Sequence, residues 1–428
     1  MLMEGVFRVH GNKKLSGSVA VSGSKNAALP ILAASVALGG TSKITNLPDI
    51  SDIGRMLEMI ASVGGKVERS GDEVTIDAEA VKLPDFHFDH PGIGKMRASI
   101  LLLAPLLARF GEVRMKFPGG CVLGKRSADA HLRAFAALGA EIVESREFLH
   151  LRLPEKKLQP GTIILPEISV TATENAIIAA SMADGISHIR MAASEPHVQN
   201  LCHFLVSAGV HIDGIGTHFL TIRGNPGAGE GGIAVTPDYL EAGTFILAGI
   251  LTDSAITVEH VVPQQLDAFF EKLGEAGANF SIDEAGQRVT TAPRRGDLSA
   301  TDIQTGVFPK FPTDLHPQFG VLMTQCTGAS KIFEVLFERK FAYLLELEKL
   351  GADVQILNPH EFLIHGPKKL TGVPVASQDI RAGAAILLAT LIAEGESEIS
   401  NIHYLDRGYQ NIEAKLRGLG ADITRENA

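Results

Sequence analysis

Six stretches of this sequence repeat one order of apolar and polar positions. In each stretch, a run rich in Ala and Leu precedes a short β-like run, an amphipathic helix that ends in a glycine, and another β-like run. A spacing of about 70 residues exceeds the roughly 20–50 residues of solenoid repeats and suits a small β-α-β-α-β unit. The glycines that end the six amphipathic helices are Gly64, Gly139, Gly209, Gly277, Gly351 and Gly420.

The first unit shows the predicted elements in full. Asp49, Ser51 and Asp52 are candidate N-caps of its amphipathic helix. Ser70-Gly71-Asp72 is typical of the turn of a β-hairpin. The predicted elements are a buried helix over 26–40, a strand over 41–47, an amphipathic helix over 50–64 and a hairpin over 66–77.

The Ala- and Leu-rich runs predict helices that are apolar on all sides, such as 242–251 and 381–393. Helices without a polar face are buried. Three such helices packed together, with sheets outside them, would place the helices inside each domain. The fold class predicted is therefore α/β: a two-domain, inside-out α/β barrel with six βαβαββ repeats, three in each domain.

The domain boundary is predicted from the Gly-rich loop 224–232, which falls between the third and fourth units. The opening segment 4–21 has no partner in the first unit, so it could pair with the last domain and make the linker double. We therefore expect an N-terminal domain over 22–235 and a C-terminal domain formed by 1–21 and 236–428. Two domains also suit the length of 428 residues.

Composition describes an ordinary globular protein with a net charge of −10. That charge disfavours binding to nucleic acid or to an anionic membrane. The longest apolar runs are too short to span a bilayer, and the N-terminus lacks the apolar core of a signal peptide. Three cysteines without a pairing pattern suit a reducing compartment, so the cytoplasm is expected. No obligate protein partner is evident.

Two motifs interrupt the repeat with cations or a thiol. Lys25 begins the first buried helix, where a cation opposes the helix dipole; it is either a solvated residue or part of an anion site. Cys121 lies in a Gly-rich loop next to Lys125 and Arg126, which would lower a thiol pKa. Cys121 is therefore a reactive-thiol candidate or a chance surface residue, whereas Cys202 and Cys326 are interpreted as core residues.

Asp314 and several arginines occupy equivalent places near helix starts. Asp314 is either a helix cap or a general base. Arg97, Arg381 and Arg407 could each be solvated or ion-paired, but together they suit phosphate and carboxylate. The sequence has no Walker A motif, no well-placed GxGxxG and no metal-ligand spacing, so we expect no nucleotide hydrolysis, no metal and no cofactor.

At these residues the sequence resembles the enolpyruvyl transferases, from about residue 4 to 425. The motifs that carry the resemblance are GSKNAALPILAASVA, MRAS, PGGC with its following Arg, EAGTF, FPTD, and DRGY followed by IEAKLRGLGA. The resemblance implies transfer of the enolpyruvyl group of phosphoenolpyruvate to the 3′-hydroxyl of UDP-N-acetylglucosamine with release of phosphate, at the entry to peptidoglycan synthesis. It also implies that the domains close on substrate with the Cys121 loop as a lid, and that fosfomycin attacks this thiol.

The resemblance further implies a role for each matching residue. Cys121 would be the general acid at C3, Asp314 would accept a proton, and Lys25 and Arg407 would complete the catalytic set. Lys25, Arg126 and Arg407 would hold phosphoenolpyruvate. The residues implied for the sugar nucleotide and the rest of the cleft are Asn26, Arg97, Asp129, Ser169, Val170, Asp314, Leu336, Asp379 and Arg381.

Several positions depart from the family pattern, mostly where the nucleotide should bind. The departing residues are Ser127, Ala128, Glu167, Thr171, Phe308, Lys310, Arg339 and Lys340. A second hypothesis is therefore transfer to a different acceptor, such as another nucleotide or shikimate 3-phosphate. A third is a non-catalytic paralogue that binds a sugar nucleotide and regulates.

Overall fold

The computed structural model describes residues 5–119, 128–143, 145 and 147–426. Its strands in chain order are β1 (Val6–His10), β2 (Ser16–Ala20), β3 (Thr41–Thr45), β4 (Lys66–Ser70), β5 (Glu73–Asp77), β6 (His87–Phe88), β7 (Glu112–Lys116), β8 (Glu141–Ile142), β9 (Phe148–Arg152), β10 (Thr162–Ile164), β11 (Ile186–Arg190), β12 (His211–Asp213), β13 (Phe219–Arg223), β14 (Gly231–Ala234), β15 (Ala255–Glu259), β16 (Phe280–Asp283), β17 (Arg288–Thr291), β18 (Ile303–Gly306), β19 (Phe311–Pro312), β20 (Gly328–Phe333), β21 (Asp353–Ile356), β22 (Glu361–Gly366), β23 (Pro374–Ala376), β24 (Glu396–Ser400) and β25 (Asp422–Glu426).

The helices alternate with these strands. The α-helices are α1 (Lys25–Leu38), α2 (Ser51–Ser62), α3 (Leu103–Phe110), α4 (Asp129–Ala137), α5 (Val170–Ser181), α6 (Pro196–Ser207), α7 (Tyr239–Leu251), α8 (Asp267–Glu275), α9 (His316–Met323), α10 (Ala342–Lys349), α11 (Ile380–Ile392) and α12 (Ile412–Gly418). Short 3-10 helices span Pro84–Phe86, Ile93–Lys95, Arg97–Leu102, Pro263–Gln265 and Ile402–Arg407.

The strands of the described residues form six separate sheets that share one plan. In the sheet β14-β3-β5-β4, the first pair is parallel and the next two pairs are antiparallel. The other four-stranded sheets repeat this sequence of pairings, and a fifth strand, β19, extends one sheet. Six sheets match the six predicted units; the pairing does not by itself show the predicted barrel.

The chain divides into two compact units, one of residues 23–236 and one of residues 1–22 with 237–428. The N-terminal strand β1 lies between β24 and β25 and pairs antiparallel with both. The next strand, β2, runs parallel to β15. The opening segment therefore completes two sheets of the second unit.

Each unit has its own hydrophobic core, built around the helices predicted to be buried. Every residue of α7 is buried, as is every residue of α1 from Ala27 to its end. By contrast, α2 is amphipathic and buries Ile53, Met56 and Ile60 on one face. None of the helices among the described residues combines the length and apolarity needed to cross a lipid bilayer.

The six glycines at the helix ends all adopt positive φ. Gly64, Gly139, Gly209, Gly277, Gly351 and Gly420 have φ values of 97°, 90°, 90°, 77°, 101° and 100°. A left-handed residue just past the last turn closes a helix and favours glycine. The helix ends predicted from the repeat are therefore confirmed.

Gly277→Ala is expected to lower the free energy of unfolding by about 1–2 kcal/mol, because an L-residue is disfavoured in the left-handed region. A Cβ at Gly277 would meet only Asp297 O at 3.9 Å, so the cost is conformational rather than steric. Gly274→Ala is the control, since Gly274 lies within α8 with open space for a Cβ. The control is expected to raise stability by up to about 1 kcal/mol. Thermal melting of both variants checks the prediction, and equal shifts for the two would contradict it.

Candidate active site

Lys25 begins α1 and its ammonium lies against a carboxylate. Its Nζ is 3.5 Å from Asp52 Oδ2, and Arg55 Nη1 is 2.9 Å from Asp52 Oδ1. The Asp52 side chain is only 2% exposed, and a buried charge of this kind requires pairing. Lys25 is therefore held in place by a buried anion at the helix N-terminus. The sequence offered Asp52 as a candidate N-cap of α2, but the N-cap of this helix is Ile50. Asp52 lies in the first turn of α2 and pairs with Lys25 and Arg55.

A hydrogen-bonded histidine lies near Arg97. The amide nitrogen of Asn175 is 2.8 Å from His131 Nδ1 and also donates to Ile100 O. With Nδ1 accepting, Nε2 carries the proton and is 3.2 Å from Thr171 Oγ1. Burial, together with the charge of Arg97, lowers the pKa of His131 to about 3. His131 is thus a neutral, oriented side chain beside a predicted substrate-binding cation.

The other predicted residues of this unit lie at helix starts. Asn26 is half-buried in the first turn of α1, and Asp129 is the exposed first residue of α4. Ser169 is the N-cap of α5 and Val170 is its first residue, both half-buried. Backbone N–H groups at helix N-termini suit anionic ligands. Glu167 lies exposed just before this helix.

The thiol loop lies outside the described residues, which omit 120–127 and therefore Cys121, Arg126 and Ser127. The two other cysteines are described and are buried in apolar surroundings. Burial raises the pKa of Cys202 and of Cys326 to about 12 in each case. Their interpretation as inert core residues is confirmed.

In the other unit, Asp314 is clamped between two cations. Its Oδ1 is 2.7 Å from Lys340 Nζ, and its Oδ2 is 3.1 Å from Arg381 Nε. Both cations are nearly buried, with side chains 4% and 7% exposed, whereas the Asp314 side chain is 33% exposed. Burial acts to raise the pKa of Asp314, but Lys340 and Arg381 outweigh it and hold that pKa well below its usual range. Asp314 does not cap α9, whose N-cap is Leu315.

Arg381 is fixed from three sides at the start of α11. The carboxylate of Asp379 is the N-cap of this helix and accepts from the backbone N–H of Arg381 at 2.7 Å. The guanidinium lies 5.5 Å from the centroid of the Tyr409 ring. Tyr409 OH is 3.1 Å from Thr244 Oγ1, so a buried hydrogen bond holds the tyrosine ring that contacts the guanidinium.

Arg407 ends a 3-10 helix, and its neighbours fix the segment. Arg425 binds both carboxylate oxygens of Asp406, at 2.6 and 3.1 Å. Gly408 lies so close to α11 that a Cβ there would come within 2.5 Å of Ile380 Cγ2. Arg407 itself is half-buried. These contacts fix the backbone from which Arg407 extends, and this lowers the entropic cost of placing its guanidinium against an anion.

The structure thus places the described site residues in two sets. Within unit 23–236 lie Lys25, Asn26, Arg97, Asp129, Ser169 and Val170, and within the other unit lie Asp314, Leu336, Asp379, Arg381 and Arg407. Among the described residues, no group of three or more His, Cys, Asp or Glu side chains is arranged to hold a metal ion. Sequence reasoning did not assign Asp52, His131 or Lys340 to the site, because contacts between residues distant along the chain leave no local signal in the sequence.

A family model described as EPSP synthase (3-phosphoshikimate 1-carboxyvinyltransferase) matches residues 9–416 of this chain. The chain therefore belongs to the EPSP synthase family, and its resemblance to enolpyruvyl transferases is confirmed.

Particular relatives are similar over nearly their whole length. A Desulfosudis oleivorans protein is 41% identical over 97% of this chain and 98% of its own. A Helicobacter pylori (strain Shi470) protein is 42% identical over 98% of both chains. Both are named UDP-N-acetylglucosamine 1-carboxyvinyltransferase.

A solved structure shares the fold. The enolpyruvyl transferase NikO from Streptomyces tendae matches with a TM-score of 0.88, at 24% identity and over 99% of both chains. The predicted mixed α/β, two-domain fold is therefore confirmed.

Proposed function

We propose that this chain transfers the enolpyruvyl group of phosphoenolpyruvate to the 3′-hydroxyl of UDP-N-acetylglucosamine and releases phosphate. The observation that carries the proposal is identity of 41–42% with relatives of that named activity, over at least 97% of this chain. The reaction would supply peptidoglycan synthesis in the cytoplasm, and through it cell-wall biogenesis, cell shape and cell division.

The transfer is an addition followed by an elimination. The acceptor hydroxyl loses its proton and its oxygen bonds to C2 of phosphoenolpyruvate, while C3 gains a proton. A base then removes a proton from C3, the C2–O bond to phosphate breaks with its electron pair leaving on the phosphate, and the enol ether forms. Asp314 is assigned to accept one of these two protons, either from the hydroxyl or later from C3. Protonation of C3 needs a positioned acid, and Cys121 is the residue we assign to it. The loop carrying this thiol would act as a lid and be the target of fosfomycin.

The cations are assigned to the anionic donor. Lys25, Arg126 and Arg407 would bind its phosphate and carboxylate, since charge-assisted hydrogen bonds to such groups are strong and directional. The support in the structure is that Lys25 is held by the buried Asp52 and that the segment of Arg407 is anchored on α11. Fixed cations stabilise charge on the departing phosphate without reorganisation.

The acceptor is assigned to the remaining residues. Asp314 would accept the hydrogen bond of the 3′-hydroxyl, since its carboxylate is both fixed and one third exposed. We propose that the two compact units are the two predicted domains, and we assign residues from both of them to the sugar nucleotide. The residues assigned to it are Asn26, Arg97, Asp129, Ser169, Val170, Leu336, Asp379 and Arg381.

A different acceptor is the second candidate, because two departures alter the predicted nucleotide residues. Thr171 places a hydroxyl on His131, and Glu167 puts a carboxylate just before the N-terminus of α5. A carboxylate beside a diphosphate would weaken its binding by like-charge repulsion.

Phosphate release tests both candidates. The full-length protein is incubated with phosphoenolpyruvate alone, with UDP-N-acetylglucosamine, and in separate samples with UMP or shikimate 3-phosphate. Release that depends on UDP-N-acetylglucosamine is expected. Release only with another acceptor would favour the second candidate, and no release with any acceptor would favour a non-catalytic paralogue. Intact-protein mass spectrometry after incubation with phosphoenolpyruvate alone should show an adduct that maps to Cys121.

Arg407→Ala is expected to raise the KM for phosphoenolpyruvate by about 30-fold or more, while the KM for the sugar nucleotide changes by less than about threefold. The reason is the loss of one fixed cation from the donor. Arg417→Ala, which removes an exposed arginine of α12, is the control and should leave both KM values unchanged. The opposite order of the two KM changes would mean that donor and acceptor are assigned to the wrong residues.

A further inference from the structure

Lys340 is a buried cation whose hydrogen-bonding capacity is fully used. An ammonium has three N–H donors. Lys340 Nζ lies 3.0 Å from Thr313 O, 3.0 Å from Thr313 Oγ1 and 2.7 Å from Asp314 Oδ1. With three acceptors for three donors and a side chain 4% exposed, Lys340 has no donor left for a substrate. Any effect on the reaction must pass through the residues that it holds.

A second buried charged residue, Glu334, also contacts the FPTD segment. Thr313 Oγ1 donates to Glu334 Oε2 at 2.8 Å, and Glu334 Oε1 accepts from the backbone N–H of Leu336 at 2.8 Å. Glu334 therefore ties the FPTD segment to the turn that carries Leu336. The side chain of Glu334 is 1% exposed, so this tie is shielded from water.

We infer that Lys340 is a positioning residue, which fixes the orientation of the Asp314 carboxylate that would receive the acceptor hydroxyl. The inference rests on the proposed function of Asp314. Lys340 and Arg381 contact one carboxylate oxygen each. An ionised carboxylate has about four lone-pair sites, so acceptor positions remain on its exposed part. Substrate binding thus meets a carboxylate whose rotation is already prevented.

Among the described residues, the charged and titratable groups that face Asp314 come from α9, α11 and the segment before α10. Arg381 comes from α11 and Lys340 from the segment before α10. His316 at the start of α9 is fully buried, and its Nε2 is 3.4 Å from Glu334 Oε2. Burial, together with Lys340, keeps the pKa of His316 well below its usual value, so His316 is neutral. Removal of Lys340 would leave Arg381 as the cation in contact with Asp314.

The test compares Lys340→Met and Lys340→Arg with wild type. Lys340→Met is expected to lower kcat by about 10²-fold, as for a reacting group misplaced by about 1 Å, and to change the KM for phosphoenolpyruvate by less than about threefold. Lys340→Arg keeps the cation and should recover most of the kcat. The acid limb of kcat/KM should move to higher pH in Lys340→Met, because one of two cations that stabilise the carboxylate is gone.

A double-mutant cycle separates positioning from a general structural effect. In an Asp314→Asn background, Lys340→Met should cause no further loss of kcat. Lys14→Met is the control, since Lys14 pairs with Asp253 at 2.7 Å in the same unit and neither of the two is a predicted site residue. Wild-type kcat in Lys340→Met, or an equal loss in both backgrounds, would overturn the inference.

Failure of the proposed function would appear differently, as absence of phosphate release by the wild-type protein. In that case acid unfolding still tests the role of Lys340. A carboxyl whose folded pKa is lowered adds stability above its unfolded pKa, and this stability is lost as pH falls through the folded pKa. Lys340→Met should shift this loss of stability to clearly higher pH, whereas Lys340→Arg, which keeps the cation, should shift it little. If Lys340→Met does not fold, Lys340→Arg is compared with wild type alone. Identical acid-unfolding profiles for wild type and Lys340→Met would overturn the inference.

Discussion

Asp314→Asn is expected to lower kcat/KM by about 10³-fold, within the range of 10²–10⁴ attributed to positioned acid–base groups. The amide keeps the shape of the side chain but carries one acceptor oxygen instead of two. Lys340 and Arg381 each occupy one carboxylate oxygen in the wild type. The variant would therefore turn an N–H group toward one cation and lose the negative charge that faces the acceptor hydroxyl. Steady-state kinetics with both substrates, alongside thermal melting, measures the effect.

Asp253→Asn is the matched control for this prediction. Asp253 is also held by one lysine and one arginine, with Lys14 at 2.7 Å and Arg294 at 3.5 Å, and its side chain is 29% exposed. A hydrogen bond from Lys14 is the main cause that lowers its pKa. The control should lose stability to a similar extent and keep its kcat/KM. Equal losses of kcat/KM in both variants would show that the loss reflects folding and not the position of Asp314.

The repeat could be predicted from the sequence because its determinants are local. The positive φ of Gly64 and its five equivalents follows from the backbone geometry of a closing helix, which depends on neighbouring residues. The hairpin after Gly64 turns between Ser70 and Glu73, where the Ser-Gly-Asp motif indicated it. Burial of α7 on all sides likewise follows from its composition.

The ion partners of the site could not be predicted, because they come from residues that are distant along the chain. Lys340 lies 26 residues from Asp314, and Arg381 lies 67 residues from it. The sequence showed Lys340 only as a departure from a family pattern. Asp52 resembled a helix cap, since its position at a helix start is the same for a cap and for an ion partner of Lys25. Only the packing of elements distinguishes these two roles.

Glu174 is a buried carboxyl that the proposed reaction does not use. It lies within α5, is 2% exposed, and its Oε1 has no hydrogen-bond partner among the described residues. Burial, followed by the charge of Glu195, raises the pKa of Glu174 well above its usual value. The native protein therefore keeps a proton on Glu174 to higher pH than the unfolded chain, which releases it above about pH 4.3.

Glu174→Gln is expected to change the pH dependence of stability of this chain. A carboxyl with a raised folded pKa loses stability as pH rises from its unfolded pKa toward its folded pKa, by about 1.4 kcal/mol for each pH unit in that window. Glutamine does not titrate, so the variant escapes this loss. The difference in free energy of unfolding between variant and wild type should therefore rise in favour of the variant by this amount for each pH unit. Urea unfolding of both proteins at several pH values between about 5 and 8 measures this difference in the free energy of unfolding. Over that span the difference can grow by up to about 4 kcal/mol.

The control for Glu174→Gln is Glu241→Gln, which changes a buried carboxyl that does have a cation. Glu241 is 3% exposed and pairs with Lys415 Nζ at 2.5 Å. Removing its charge would leave a largely buried ammonium without its counter-ion, so this variant should be less stable than wild type near neutral pH. Burial raises the pKa of Glu241 as well, but Lys415 opposes that rise. The two chemically identical substitutions should therefore change stability in opposite directions near neutral pH. A loss of stability in Glu174→Gln that grows as pH rises would mean that Glu174 is ionised in the native protein and has a partner that burial alone does not reveal.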